Sequence, residues 1–185
     1  AYRNAMRKAP MDAEIVHDYG VSIVAQGRVE ESLEWFKRAC DMIPDRPDFH
    51  HHYAIMLVLA GHDREGWVEM EWRLKVPGVT GTYPLPERYW NGQPLVGKTI
   101  VLRSEQGFGD TIMFARYIEG LRARGAKQIY FYCQQEMVEW VRAEYPDVKP
   151  WPNKAPPPIE IDYHVNIMSL PQHFPREYFT RPAVE

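Results

Sequence analysis

Cysteine is scarce. Cys40 and Cys133 are the two in 185 residues, so neither a disulfide framework nor a four-thiolate zinc site can be built, and a reducing, cytoplasmic setting is expected. A basic surplus is missing as well. Twenty-two Lys and Arg stand against 25 Asp and Glu, a net charge of -3, which leaves no excess of cations to neutralise phosphates and argues against a nucleic-acid partner. No apolar run approaches the roughly 18 residues that span a bilayer, and the N-terminal stretch lacks the apolar core of a signal peptide. There is no Asp-x-Asp pair for a metal-dependent transferase site. What is present is ordinary globular composition, 45% hydrophobic and 25% charged, enough for one or two small domains. The chain opens on Ala1 rather than Met, which reads as a piece of something longer.

A period of 34 residues runs through the first part: Tyr2, Ala5 and Pro10 recur as Phe36, Ala39 and Pro44, Tyr19 as Tyr53, Gly27 as Gly61 and Ser32 as Gly66. This resembles the tetratricopeptide repeat. Tyr19, Gly20 and Ile23 fall on one face of a first helix, Ser32, Phe36 and Ala39 on the facing side of a second, and Pro44 stops the pair. Residues 1–76 are therefore expected to hold the tail of one repeat, one good repeat and one degenerate one. In the last, Arg73 takes a position that wants a small residue and Gly78 replaces the closing proline.

Residues 77–94 change to Pro, Gly, Tyr and Trp without helical period and read as an ordered linker. Beyond them, Lys98–Arg103 reads as a buried strand, and Phe114, Tyr117, Ile118 and Leu121 as one helix closed by Gly125. Gln128–Cys133 reads as a second strand, Gln135–Glu144 as a helix, and Val148–Trp151 and Ile161–Ile167 as strands around a Pro156-Pro157-Pro158 loop. The order β-α-β-α-β-β implies a parallel, Rossmann-like sheet over residues 95–185. Residues 1–89 carry the whole net charge of -3 and the remainder is neutral, so an acidic interaction surface belongs to the helical half.

The segment Glu105-Gln106-Gly107-Phe108-Gly109-Asp110 joins the first strand to its helix, where open α/β sheets place ligands. Two glycines let a ligand approach the backbone, and the helix N-terminus offers N–H groups and a partial positive charge. Asp110 has a plainer reading as the N-cap. A carboxylate here would repel a phosphate on the same helix terminus, which favours an acceptor role over a phosphate cradle. His164, leaving a strand, is a second candidate for substrate contact, and Arg116 reads as a solvated or salt-bridged helix residue. The run His50-His51-His52 cannot converge on one ion, because successive helical residues point about 100 degrees apart, and no metal site is expected. Glu160 and Asp162 share one side of a strand. Trp35, Trp67, Trp72 and Trp140 read as packing.

Together, Trp90-Asn91-Gly92-Gln93-Pro94-Leu95, Gly97-Lys98, the Glu105 to Thr111 loop, Phe114-Ala115-Arg116-Tyr117, Gly125-Ala126, Asp162, His164 and Met168-Ser169-Leu170-Pro171 resemble bacterial glycosyltransferase-like proteins that carry tetratricopeptide repeats. Glu71-Trp72-Arg73 is similar to the end of their repeat region. These proteins are related to the family 9 heptosyltransferases and, more distantly, to the O-linked N-acetylglucosamine transferases. The resemblance implies an α-helical solenoid segment followed by the N-terminal, Rossmann-like part of a GT-B fold. It also implies a nucleotide-sugar donor bound by the full-length protein rather than by this chain, a saccharide or protein hydroxyl as acceptor, and a protein or peptide partner on the helices. Residue by residue, it implies Asp110 as general base and Gln106, Gly107, Phe108, Gly109 and His164 as acceptor-binding. About 95 residues from Trp90 make one Rossmann-like half, since a domain takes about 100 to 200, so an acceptor-side half-site is expected. Two other classes compete. A methyltransferase would end its second strand on an acidic residue, where this one runs Tyr132-Cys133-Gln134-Gln135. A non-catalytic adaptor would use the repeats alone to bind a peptide, with the sheet as a cap.

Overall fold

The structure is a computed structural model that describes residues 12–78, 88–105, 107–152 and 161–174. Tyr2, Ala5, Pro10, Gln106, the Pro156-Pro157-Pro158 loop, Glu160 and half of the expected linker lie outside the described residues. The chain divides into two compact units, Ala1–Thr80 and Gly81–Glu185.

The first unit is helical: α1 (Ala13–Val24), α2 (Val29–Met42), α3 (Pro47–Leu59) and α4 (Asp63–Glu69), the last running into a 3-10 segment, Met70–Lys75. Each helix packs on the next. Asp12 caps α1, its carboxylate accepting from the Glu14 and Ile15 backbone N–H groups at 3.0 and 3.4 Å. Pro47 opens α3, where its missing N–H costs nothing. α1 and α3 end alike, on Gly27 (φ 76) and Gly61 (φ 88), both in the left-handed region that stops a helix. The core follows the expected faces except at Tyr19, which is half-buried, with Val16 buried on that helix as well. Val16, Gly20 and Ile23 of α1 and Ser32, Phe36 and Ala39 of α2 are buried, and a side chain on Gly20 would lie 3.3 Å from the Phe36 ring. Arg73, expected as a misfit, is wholly buried, donating to the Met70 carbonyl at 3.0 Å and to Glu71 at 2.9 Å.

The second unit is α/β. β1 (Thr99–Arg103), β2 (Gln128–Cys133), β3 (Lys149–Pro152) and β4 (Tyr163–Asn166) form one sheet in the order β3-β2-β1-β4, every pairing parallel. α5 (Phe108–Ala115) and α6 (Ile118–Ala123) connect β1 to β2, and α7 (Val138–Glu144) follows β2. Ile100, Val101 and Leu102 of β1 are fully buried, as a central parallel strand covered on both faces requires. The single helix expected around Phe114–Leu121 is two. Tyr117 N–H bonds the Phe114 carbonyl at 3.1 Å, an i to i+3 step, and the Arg116 side chain takes the Met113 carbonyl at 2.6 Å. The break still leaves Phe114, Tyr117, Ile118 and Leu121 all buried. Gly125 (φ 85) ends α6 against Val96, whose Cγ2 would lie 2.9 Å from any Cβ there.

Candidate functional site

The site is built at the carboxyl end of β1. Ser104 N–H extends the sheet pairing to the Tyr132 carbonyl at 2.9 Å, and the chain then turns into α5. Gly107 is the N-cap of α5, so Asp110 is not: it stands at the third helical position, half-buried. No side chain caps the helix; Thr111, wholly buried, donates to the Gly107 carbonyl through both its N–H (3.1 Å) and its hydroxyl (3.0 Å). The Asp110 carboxylate folds back toward the cap, with Oδ2 3.8 Å from where a Gly107 Cβ would stand. Among the described residues no hydrogen bond or ion pair holds that carboxylate.

Neither glycine of the turn is demanded by the fold. Gly107 has an ordinary φ of -72, Gly109 also avoids the left-handed region, and a Cβ on Gly109 would touch nothing within 4 Å. Open space lies over the first turn of α5. Phe108 and Ile112, 50% and 41% exposed, stand four residues apart and form an apolar strip on a different face of the helix from Asp110, which is two residues from each.

His164 sits apart from this turn. It is paired with Val101 in the register of β4, two residues before Asn166, which lies opposite Arg103 at the carboxyl end. At about 3.3 Å per residue His164 is roughly 7 Å back from the edge. Its backbone is clamped on both sides, N–H to the Arg88 carbonyl (3.1 Å) and carbonyl to Trp90 N–H (2.8 Å), and its ring meets Tyr89 edge-on at 5.2 Å. Asn166, on the same strand face as His164, reaches the edge instead. It is 5% exposed, and its side-chain oxygen is buried without a hydrogen bond. The sequence offered one signal for it, a polar residue inside an otherwise apolar strand end. Asp162 has a structural task, accepting from Thr99 N–H (2.8 Å) and the Lys98 ammonium (2.9 Å), which together hold its carboxyl below the usual range. Cys133 is buried in β2, its thiol pushed up to about 11 by desolvation.

In the helical unit His50 and His52 turn to different partners, while the His51 and His52 rings stack with centroids 6.3 Å apart. His50 turns to Glu69 and the Pro44 carbonyl, and His52 Nδ1 meets His17 Nε2 at 2.8 Å. Burial and the neighbouring His52 hold His51 below the usual imidazole range, while burial and His17 do the same for His52.

No protein-family model matches the chain. FlbA of Caulobacter vibrioides is 28% identical over 122 residues, which is 63% of this chain and 20% of that protein. The protein O-mannosyl-transferase Tmtc1 of Drosophila melanogaster is 39% identical over 56 residues, 30% of this chain and 6% of its own length. Among solved structures, a K341M mutant of the Thermobaculum terrenum O-GlcNAc transferase superposes with a TM-score of 0.39 at 18% identity, covering 82% of this chain and 30% of the other. That superposition is too loose to assign a fold. The chain spans a fifth or less of the curated relatives it matches.

Proposed function

We propose that this chain is the acceptor-side part of a glycosyltransferase that carries tetratricopeptide repeats. The Asp110 carboxylate carries the reading: half-buried, without an ion pair among the described residues, and set on the first turn of a helix at the carboxyl end of the central strand. An acceptor hydroxyl over the Gly107–Gly109 turn would donate its proton to Asp110 as its oxygen attacks the anomeric carbon of a nucleotide sugar. The bond from that carbon to the diphosphate breaks on the opposite side, and the configuration inverts. Phe108, exposed at the start of α5, offers an apolar contact at the margin of the turn, and Asn166 a second polar group at the sheet edge. The donor would bind to a second Rossmann-like half in the full-length protein. A relative named as a protein O-mannosyl-transferase is in keeping with sugar transfer, although the match spans only 56 residues. On the helical unit, the exposed Val21, Leu59 and Val68 offer apolar contacts to a protein or peptide partner.

The test is release of nucleoside diphosphate by the full-length protein offered a panel of nucleotide sugars with a cell extract as acceptor source. Release that requires both a particular sugar and the extract supports transfer. A folded full-length protein that releases none across the panel, while its helices still capture a peptide partner, favours the adaptor reading.

A further inference from the structure

The helical unit brings together three side chains that sequence spacing keeps apart. Cys40 comes from α2, His50 from α3 and Glu69 from the end of α4, and one ligand atom of each lies within 4.8 Å of the others. We propose that Cys40 Sγ, His50 Nδ1 and a Glu69 carboxylate oxygen form a three-ligand zinc site with water in the fourth position. The hydrogen-bond pattern of His50 points to it. Its Nε2 faces the Pro44 carbonyl at 2.9 Å, a group that can only accept, so Nε2 carries the hydrogen. Nδ1 is thereby turned to the Glu69 carboxylate, so that these two ligand atoms face one another beside Cys40 Sγ. Cys40 Sγ completes the group, from a side chain that also packs in the apolar core with Ala39 and Phe49.

A backbone carbonyl that orients the far nitrogen is the usual support of a metal-bound histidine. The His50 ring is fixed further by stacking on Trp72, with centroids 4.1 Å apart. Sulfur, imidazole nitrogen and carboxylate oxygen together suit a tetrahedral zinc ion, whose ligand atoms stand about 3.3–3.8 Å apart given metal-ligand distances of about 2.0–2.3 Å. The His50 and Glu69 side chains are 13% and 24% exposed, so an ion has a path in and water a place to bind, while Cys40 closes the inner side. On binding, the thiol proton leaves to solvent and the sulfur lone pair takes its place on zinc. Burial holds the metal-free thiol protonated, up to about 12, so Cys40 is no free nucleophile without the ion.

The experiment uses the full chain, free of affinity tag and stripped with chelator, titrated with cobalt(II) and then with zinc. The expected result is one equivalent of cobalt giving a thiolate-to-metal charge-transfer band and tetrahedral ligand-field bands, displaced by zinc, with Tm raised by at least about 5 °C at excess zinc. Cys40→Ser should remove the charge-transfer band and weaken binding at least about 100-fold. Glu69→Gln, changed near the surface where folding is safe, should weaken it about 10- to 100-fold. His52→Gln, whose ring meets His17 and His51 and none of the three proposed ligands among the described residues, should bind as the parent does. A folded parent chain without the thiolate band overturns the proposal. So does Glu69→Gln with parent affinity, or binding lost in His52→Gln and kept in Cys40→Ser.

Discussion

Glycines 66 and 109 make opposite demands on their surroundings. A Cβ on Gly66 would lie 2.7 Å from Val58 Cγ2 and 2.9 Å from the Val58 backbone nitrogen, so α4 rests on α3 at that point. Gly66→Ala should cost about 1–3 kcal/mol by overpacking, read as a lower denaturant midpoint. Gly109 faces empty space on the first turn of α5. Gly109→Ala should leave Tm unchanged or slightly raised, because alanine is the better helix former. If an acceptor approaches that turn, the added methyl raises its KM in the full-length protein; an unchanged KM would remove the turn from the site. Asp162 gives a pH prediction of known sign. Its folded value is depressed by the Thr99 N–H and Lys98, so its contribution is present above the unfolded carboxylate range and lost as pH falls through the folded value. Asp162→Asn should therefore be less stable than the parent near neutrality, and equal to it in acid below that depressed value, as urea midpoints across pH will report.

At the scale of elements, periodic pattern located what local rules control. The expected strand at Gln128–Cys133 has those bounds in the structure, and β1 differs by one residue at Lys98. Arg116–Tyr117 shows the limit of that reading. The apolar spacing 114, 117, 118, 121 survives a switch from i to i+4 to i to i+3 bonding, so burial could be read but the break could not. Asp110 shows another limit, since glycine and aspartate both suit a cap and only the backbone, extended at Gly107 with the first helical bond from Thr111 N–H, decides for Gly107. The histidines show a third: spacing along one helix says that three neighbours diverge, but not that His50 will meet Cys40 and Glu69 from two other helices. Ser32 was legible as a small residue between helices and is wholly buried, its hydroxyl on the Val29 carbonyl at 2.6 Å. Ser32→Trp should unfold the helical unit, with loss of far-UV helical signal on heating well below the parent; an unchanged melt would contradict the packing of α1 and α2 described above.

For the whole molecule, division into two compact units separates two tasks in the reading offered here, partner binding on the helices and acceptor chemistry on the sheet. The chain as it stands should bind nucleotide sugars no better than millimolar, since donor recognition is assigned to a further Rossmann-like half; micromolar affinity by calorimetry on these 185 residues would move the donor site onto the present sheet. The most direct test of the central claim is Asp110→Asn in the full-length protein. Asparagine keeps the size of the side chain and the Gly107 cap, so Tm should hold while turnover falls roughly 10²- to 10⁴-fold, the usual contribution of a positioned base. Turnover equal to the parent's, in a protein shown to transfer sugar, would make Asp110 a structural residue and contradict the account.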